Sequence, residues 1–191
     1  MRCQKIVAIA SSTGGPKALQ AVIPKLPGDL NVPVVIVQHM PAGFTASLAE
    51  RLDCLSRLTV EEAAEGTVLE NNHVYIAKGG KHLTVKPKGK EMVLKFLDEP
   101  VREGVKPCAN YLFESLANSS YEEIVCVVMT GMGADGAEGI ANLKKSKRVT
   151  VITQDELSCA VYGMPKSVVK AGLSDITASL DKLADVIVKT V

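Results

Sequence analysis

Three polar residue types that could act together in nucleophilic chemistry each follow a separate apolar run of this sequence. Ser11 and Ser12 follow the run KIVAIA, His39 follows VPVVIVQ, and Asp135 follows EEIVCVVMT. A serine hydroxyl attacks a carbonyl group efficiently only when a histidine removes its proton, and an aspartate fixes that histidine in the correct tautomer. The residue types are therefore those of a Ser-His-Asp catalytic triad.

The runs that precede these residues have the pattern of strands buried on both faces. They are short, continuous and rich in β-branched residues, as is a fourth run, RVTVITQ. Segments with helical period lie among them, at residues 16–26, 42–55, 108–118, 136–146 and 179–191. This alternation predicts an α/β fold with a doubly wound, mainly parallel sheet flanked by helices. Because the carboxyl ends of parallel strands meet at one edge of the sheet, we expect the serine, the histidine and the aspartate to lie together there.

Residues 73–96, HVYIAKGGKHLTVKPKGKEMVLKF, depart from this alternation. Their alternating residues around two turn signals, Lys78-Gly79-Gly80 and Pro87-Lys88-Gly89, predict an antiparallel hairpin excursion from the parallel sheet. His73 and His82 flank this segment away from any parallel-strand end, and we interpret both as structural or surface groups. Its six lysines either face solvent or bind acidic helices of a partner; they are Lys78, Lys81, Lys86, Lys88, Lys90 and Lys95.

The composition limits the size of the fold and the kinds of partner. The chain has 191 residues, 47% of them hydrophobic, which suffices for one sizeable core, so we expect a single domain over residues 1–191. The formal net charge of +1 provides no overall field for nucleic acid or an anionic membrane, and no apolar stretch approaches the roughly 20 residues that span a bilayer. The scattered cysteines, with no C-x-x-C pair, predict reduced thiols, no zinc site and a cytoplasmic location; they are Cys3, Cys54, Cys108, Cys126 and Cys159.

Each part of the predicted triad also has a simpler interpretation. A serine between a strand and a helix is commonly a helix cap, a histidine after a strand is commonly a structural group, and an aspartate beside glycine commonly forms a turn.

Alternatively, the loops SSTGG and TGMGADG hold phosphate, which would make the chain a nucleotide-binding module. Neither loop matches G-x-x-x-x-G-K-[ST] or the full G-x-G-x-x-G pattern. The order Ser-His-Asp and the lack of a G-x-S-x-G elbow do not favour the α/β-hydrolase superfamily.

Five blocks of the sequence, spread in order along nearly the whole chain, also carry a family resemblance. The blocks are ASSTGGPKAL, VVIVQHMPAGFTASLAERLD, VYIAKGGKHLTV, VMTGMGADGAEGI and VYGMPKSVVKAG. Together they resemble the catalytic domain of the CheB family of chemotaxis protein-glutamate methylesterases. The family's nucleophilic serine precedes Thr-Gly-Gly, so the resemblance implies Ser12 rather than Ser11 as the nucleophile. It likewise implies His39 of Gln-His-Met-Pro as the base and Asp135 of Gly-Met-Gly-x-Asp-Gly as the third triad residue.

The resemblance implies hydrolysis of γ-glutamyl methyl esters on the cytoplasmic helices of chemoreceptors, often with deamidation of receptor glutamines, and with no metal or organic cofactor. In that mechanism the backbone N–H groups of Thr13 and Met132 are the candidates that stabilise the oxyanion.

Two features of the sequence depart from the family pattern. Many members carry a phosphoacceptor receiver domain and a linker before this domain, and neither occurs here. This leaves open whether the chain is an excised domain of a longer parent protein or a free-standing protein. Where many members have Arg-Pro-Ser-Val-Asp, this chain has Lys106-Pro107-Cys108-Ala109-Asn110. We expect that change to lie outside the triad and to alter contacts in the substrate pocket.

Overall fold

The computed structural model describes residues 4–191, which form nine β-strands and six α-helices. The strands are β1 (Lys5–Ser11), β2 (Val34–Gln38), β3 (Thr59–Glu62), β4 (His73–Ile76), β5 (His82–Lys88), β6 (Glu91–Leu97), β7 (Glu123–Val128), β8 (Arg148–Gln154) and β9 (Ile176–Ala178). The helices are α1 (Gly15–Val22), α2 (Phe44–Leu55), α3 (Ala109–Ser115), α4 (Ala137–Leu143), α5 (Met164–Lys170) and α6 (Leu183–Thr190). Within this part of the chain, no helix is both long enough and apolar enough to cross a lipid bilayer.

Seven of the strands form one sheet in the order β3-β4-β2-β1-β7-β8-β9, and every neighbouring pair is parallel. The residues of β1 contribute alternately to two cores, with Val7 and Ile9 on one face and Ile6, Ala8 and Ala10 on the other. Helices α1, α2 and α6 cover the first face, and α3, α4 and α5 cover the second. The predicted doubly wound sheet is confirmed, because continuously apolar strands require helices on both faces.

The antiparallel hairpin is confirmed over β5 and β6, which pair along their whole length. Gly89 lies in the turn between them with a φ of 62°, a left-handed conformation that glycine adopts without steric strain. The prediction that the hairpin begins at residue 73 is wrong, since β4 pairs in parallel with β2 and β3 inside the main sheet. Residues 74–76 are all buried, as the residues of an interior parallel strand are.

Three short elements are not indicated by the sequence pattern. The strands β3 and β9 form the two edges of the main sheet, and each has one buried residue, Val60 and Ala178. Neither strand therefore contains a continuous apolar run. Helix α5 is as long as α3 and α4, but its sequence, MPKSVVK, contains a proline and two β-branched valines, which are weak helix signals.

Candidate active site

The carboxyl ends of three neighbouring strands bring Ser12, His39 and the loop that carries Asp135 to one edge of the sheet. The strands β1 and β2 pair in register up to the last residue of each, so Ser12 and His39 are the next residues of adjacent strands. On the other side of β1, the backbone N–H of Ser12 donates to the carbonyl oxygen of Thr130, beyond the end of β7, at 2.9 Å. Ser12 therefore lies between His39 and the loop that follows β7.

His39 and Asp135 are joined by a hydrogen bond of 2.7 Å between Nε2 and Oδ2. Their side chains are 8% and 2% exposed, so the pair is shielded from water. Because the carboxylate accepts, Nε2 carries the proton and Nδ1 of the neutral ring keeps its lone pair. Nδ1 is buried and has no hydrogen-bond partner among residues 4–191. It is therefore the ring nitrogen able to take a proton from a hydroxyl, the reverse of a triad in which the aspartate binds Nδ1.

The two serines differ in whether their hydroxyl groups are engaged. Ser11 is fully buried and donates to Oε1 of Gln38 at 2.6 Å. Nε2 of Gln38 donates in turn to the carbonyl oxygens of Ser12 and His39, at 3.0 and 3.1 Å, which ties the ends of β1 and β2 together. Ser12 is half-buried, and its hydroxyl makes no hydrogen bond within the described residues. Of the two serines, only Ser12 has a hydroxyl free to react.

Gly131 lets the loop after β7 approach Ser12 closely. A Cβ atom on Gly131 would lie 2.7 Å from Cβ of Ser12 and 2.4 Å from Sδ of Met164. The backbone N–H of Gly131 donates to the carbonyl oxygen of Val161 at 2.9 Å, which holds the loop in this position. Because a side chain there would displace the candidate nucleophile or the buried methionine, the glycine-rich stretch is needed for close packing as well as for turning.

The Asp135 carboxylate accepts hydrogen bonds at both oxygen atoms. Oδ1 accepts from the backbone N–H of Asn110 at 2.9 Å and from Sγ of Cys108 at 3.0 Å. Oδ2 accepts from the backbone N–H of Ala109 at 2.7 Å and from His39. Burial raises the pKa of Asp135, but the hydrogen bonds from His39, Cys108 and Ala109 outweigh burial and hold the pKa below its ordinary value. The carboxylate is therefore ionised near neutral pH and fixed in orientation.

Residues 106–110 contact the candidate site more directly than the sequence indicates. Cys108, Ala109 and Asn110 are not members of the predicted triad, but all three donate to its aspartate. No residue pattern reveals this contact, since two of the donors are backbone N–H groups that nearly every residue has. Lys106 lines a cavity of about 210 Å³ together with His39, Met40, Pro41 and Val105.

Asn110 also holds the start of α4, the helix that follows Asp135. Its Oδ1 accepts from the backbone N–H of Gly136 at 3.0 Å and from that of Gly139 at 2.7 Å. These groups would otherwise lack a partner, because the first N–H groups of a helix have none within the helix. One side chain from α3 thereby fixes the loop that presents the aspartate.

The predicted oxyanion donors, the backbone N–H groups of Thr13 and Met132, have no hydrogen-bond partner among the described residues. The carbonyl oxygen of Thr13 accepts from the hydroxyl of Thr130 at 2.9 Å, which fixes the turn after β1 against the loop after β7. Met132 directly follows Gly131, the residue packed against Ser12. Their role at an oxyanion stays a prediction.

The other two histidines occupy structural positions. His82 is fully buried at the start of β5, where Nε2 donates to the carbonyl oxygen of Pro100 at 2.9 Å and Nδ1 accepts from the backbone N–H of Cys108 at 3.1 Å. His73 is half-buried in β4 and stacks on Tyr75, with 6.0 Å between the ring centroids. Neither histidine hydrogen-bonds to Ser12 or His39.

The lysines at the tip of the hairpin lie far from Ser12. Lys90 lines a cavity of about 550 Å³ together with Gln4 and Lys5, at the amino end of β1. The seven residues of β5 span about 20 Å, and its other end, at His82, is the one that contacts the neighbourhood of Asp135. The structure therefore does not bring the tip lysines to the edge of the sheet at which Ser12 lies.

Four of the five cysteines lie within the described residues, and all four have free thiols; they are Cys54, Cys108, Cys126 and Cys159. Burial raises the pKa of the Cys126 thiol well above its ordinary value, as is typical of an inert structural cysteine. Cys3 lies outside the described residues.

A doubly wound sheet that presents a serine, a histidine and a buried aspartate on neighbouring strand ends has the fold and residue types of a serine hydrolase built on a parallel sheet. The sequence profile of the family described as CheB methylesterase matches residues 7–187. This chain therefore belongs to the CheB methylesterase family.

Individual relatives agree with this family assignment. Proteins from Geobacillus kaustophilus and Bacillus subtilis are 47% identical over 188 residues and 52% identical over 186 residues, which cover 98% and 93% of this chain. Both are named protein-glutamate methylesterase/protein-glutamine glutaminase, and the chain spans about half of their length, 54% and 52%. A crystal structure of the CheB methylesterase catalytic domain from Thermotoga maritima is 40% identical, with a TM-score of 0.94 over 98% of this chain and 99% of that chain.

Proposed function

We propose that this chain hydrolyses glutamate γ-methyl esters on the cytoplasmic helices of chemoreceptors through an acyl-enzyme on Ser12. The observation that carries the proposal is the buried hydrogen bond between Asp135 and Nε2 of His39, which leaves Nδ1 free at the strand end next to Ser12. The names of the relatives, which include protein-glutamate methylesterase, support the choice of substrate.

The proposed reaction proceeds in two halves. In the first, Oγ of Ser12 bonds to the γ-carbonyl carbon while its proton passes to Nδ1 of His39, and the intermediate then expels methanol, which carries that proton away. In the second, water attacks the acyl-enzyme with His39 again as the base, and the products are a glutamate side chain and the free serine. Asp135 orients the ring and stabilises its cationic form. The backbone N–H groups of Thr13 and Met132 would each stabilise the oxyanion by about 3 kcal/mol.

Deamidation of receptor glutamines is a second candidate activity, which the relatives' name protein-glutamine glutaminase favours. The same serine would attack the amide carbonyl, and His39 would return the proton to the departing nitrogen, so that ammonia leaves in place of methanol. The acyl-enzyme and its hydrolysis would be identical.

The proposal also concerns the setting of the enzyme. We infer that residues 1–191 act as one catalytic domain in the cytoplasm, where the receptor helices lie, and that none of the steps needs a metal or an organic cofactor. The additional length of the relatives leaves room for a receiver domain in a longer parent chain. Such a domain would make the activity subject to phosphorylation.

Release of methanol from methylated chemoreceptors tests the proposed function. We expect Ser12→Ala to lower the rate by a factor on the order of 10⁴ or more while the circular dichroism spectrum is unchanged. Ser11→Ala is the matched control and should retain most of the activity, because its hydroxyl is engaged by Gln38. ATP and ADP binding to the wild type is measured in parallel. Nucleotide binding without methanol release would contradict the proposal and favour the nucleotide-binding alternative.

A further inference from the structure

The thiol of Cys108 is buried against the carboxylate of the proposed triad. Cys108 is fully buried, and its Sγ donates to Oδ1 of Asp135 at 3.0 Å. Oδ1 and Oδ2 belong to one delocalised group, so a donor on Oδ1 withdraws charge from the oxygen that accepts the His39 proton. The thiol is therefore placed to act on the His39–Asp135 pair without touching substrate.

His82 fixes the backbone of Cys108 through a hydrogen bond. The backbone N–H of Cys108 donates to Nδ1 of His82, whose Nε2 donates to Pro100, so both ring nitrogens are engaged and the tautomer is fixed. The ring also packs against Tyr111, with 4.6 Å between the ring centroids. Burial, the largest effect, and the nearby charge of Lys106 lower the pKa of His82, so the ring stays neutral and Nδ1 remains an acceptor.

We propose that Cys108 is a positioning residue of the catalytic site, which holds Asp135 in place and tunes its hydrogen bond to His39, and that His82 anchors Cys108 for this role. The effect on the rate rests on the proposed function, whereas the effect on the His39–Asp135 hydrogen bond does not.

The thiol remains a donor over the whole working range of pH. Burial, followed by the negative charge of Asp135, raises the pKa of the Cys108 thiol to about 12, so it stays protonated. The other charged groups around this cluster are Glu99 and Lys106, which act on His82, and the Arg102–Glu114 ion pair, whose arginine lies over the Tyr111 ring.

Replacing the thiol by groups that donate more or less strongly gives an ordered set of effects. In Cys108→Ala, Asp135 loses a donor, becomes a stronger acceptor for His39 and favours the imidazolium form. The acidic limb of the kcat/KM profile should therefore move to higher pH by a few tenths of a unit. Loss of positioning should lower kcat about fivefold with KM unchanged, the factor that corresponds to one ordinary hydrogen bond. Cys108→Ser, whose hydroxyl is the stronger donor, should keep kcat near the wild-type value and move the limb to lower pH.

The experiment compares Cys108→Ala and Cys108→Ser with Cys126→Ala, a matched control that truncates another fully buried thiol, one without a carboxylate partner within the described residues. Two readouts are taken on each: the pH profile of methanol release and the downfield proton resonance of Nε2–H of His39. We expect the resonance to move downfield in Cys108→Ala, upfield in Cys108→Ser and not at all in Cys126→Ala. His82→Asn, which keeps an acceptor at the place of Nδ1, should lower kcat less than His82→Ala.

The outcomes separate this inference from the proposed function. If the resonance follows the order Ala, Cys, Ser while no variant and no wild type releases methanol, the positioning role stands and the proposed function fails. If methanol is released but the Cys108 variants have the pH profile and resonance of Cys126→Ala, the thiol only fills space and the inference is overturned.

Discussion

His39 and His82 are both shielded from solvent, yet they differ in how their ring nitrogens are used. Both nitrogens of His82 are hydrogen-bonded, whereas His39 has Nε2 engaged by Asp135 and Nδ1 without a partner among residues 4–191. Leaving a buried polar atom unpaired costs about 1–3 kcal/mol, so such an atom needs an explanation. At His39 the explanation we propose is proton transfer with Ser12. The residue type and its burial would not have distinguished the two histidines.

The same contrast separates the two serines at the end of β1. The hydroxyl of Ser11 donates to Gln38, while that of Ser12 makes no hydrogen bond within the described residues. In both pairs, the group available for reaction is the one that the fold does not use for its own stability. Within each pair, this difference in hydrogen bonding distinguishes the two residues without reference to their positions in the sequence.

Substituting the two histidines should have its largest effect on catalysis. His39→Gln removes the base, and we expect it to lower kcat for methanol release by about 10⁴-fold to 10⁶-fold. His82→Asn changes a ring of similar burial but should lower kcat by no more than about fivefold, because it acts only through Cys108. The two rates are measured on the same methylated receptor preparation. Similar losses in both variants would contradict the division between a reacting and a structural histidine.

The next effect, on the free energy of unfolding, concerns Asn110, whose Nδ2 is also buried without a partner among residues 4–191. Here the useful atom is Oδ1, which accepts from Gly136 and Gly139. Asn110→Ala would leave two buried N–H groups unpaired, so we expect the free energy of unfolding to fall by about 2 kcal/mol in urea titrations. Asn118→Ala, at an exposed position just after α3, is the control and should change the free energy of unfolding by less than about 0.5 kcal/mol. Equal effects would mean that Asn110 does not hold the start of α4.

The smallest expected effect is on the pH dependence of stability. The pKa of His82 is lowered in the folded protein, so the unfolded chain binds a proton more readily and stability falls as the pH drops below the ordinary histidine value of 6.5. Asp135, whose pKa is lowered, loses its contribution only as the pH falls through and below 3.8, a separate range. Urea unfolding at pH 7.5, 6.5 and 5.5 should therefore show a smaller decline for His82→Asn than for the wild type. An identical decline would assign the pH dependence to other groups.

The sequence was sufficient for the parts of the site that follow from strand ends. In a parallel sheet, the residue after each buried strand must lie at the same edge, which places Ser12, His39 and the loop of Asp135 together. The choice between Ser11 and Ser12 needed the family resemblance, and the structure adds a physical reason through Gln38. Residues 108–110 could not be found in this way, because their contact with Asp135 depends on how α3 packs in three dimensions.

The fold, like the site, was predicted in part from the sequence. Strands with continuous apolar runs, such as β1 and β7, were recognised, because burial on both faces leaves a strong pattern. The strand β4 was assigned to the wrong sheet, since its short apolar run fits either a hairpin or an interior strand. The edge strands β3 and β9 left no pattern, because little of each is buried.

The amide of Gln38 joins the proposed nucleophile and its proposed base through the backbone. It links the main chain of Ser12 to that of His39 across two strands that are already in register, with no loop between them that could flex. Motion of the surrounding loops would therefore change the access of the substrate more readily than it would change the distance between Ser12 and His39. An inhibitor that contacts both Ser12 and His39 would therefore bind a preformed arrangement even when the surrounding loops move.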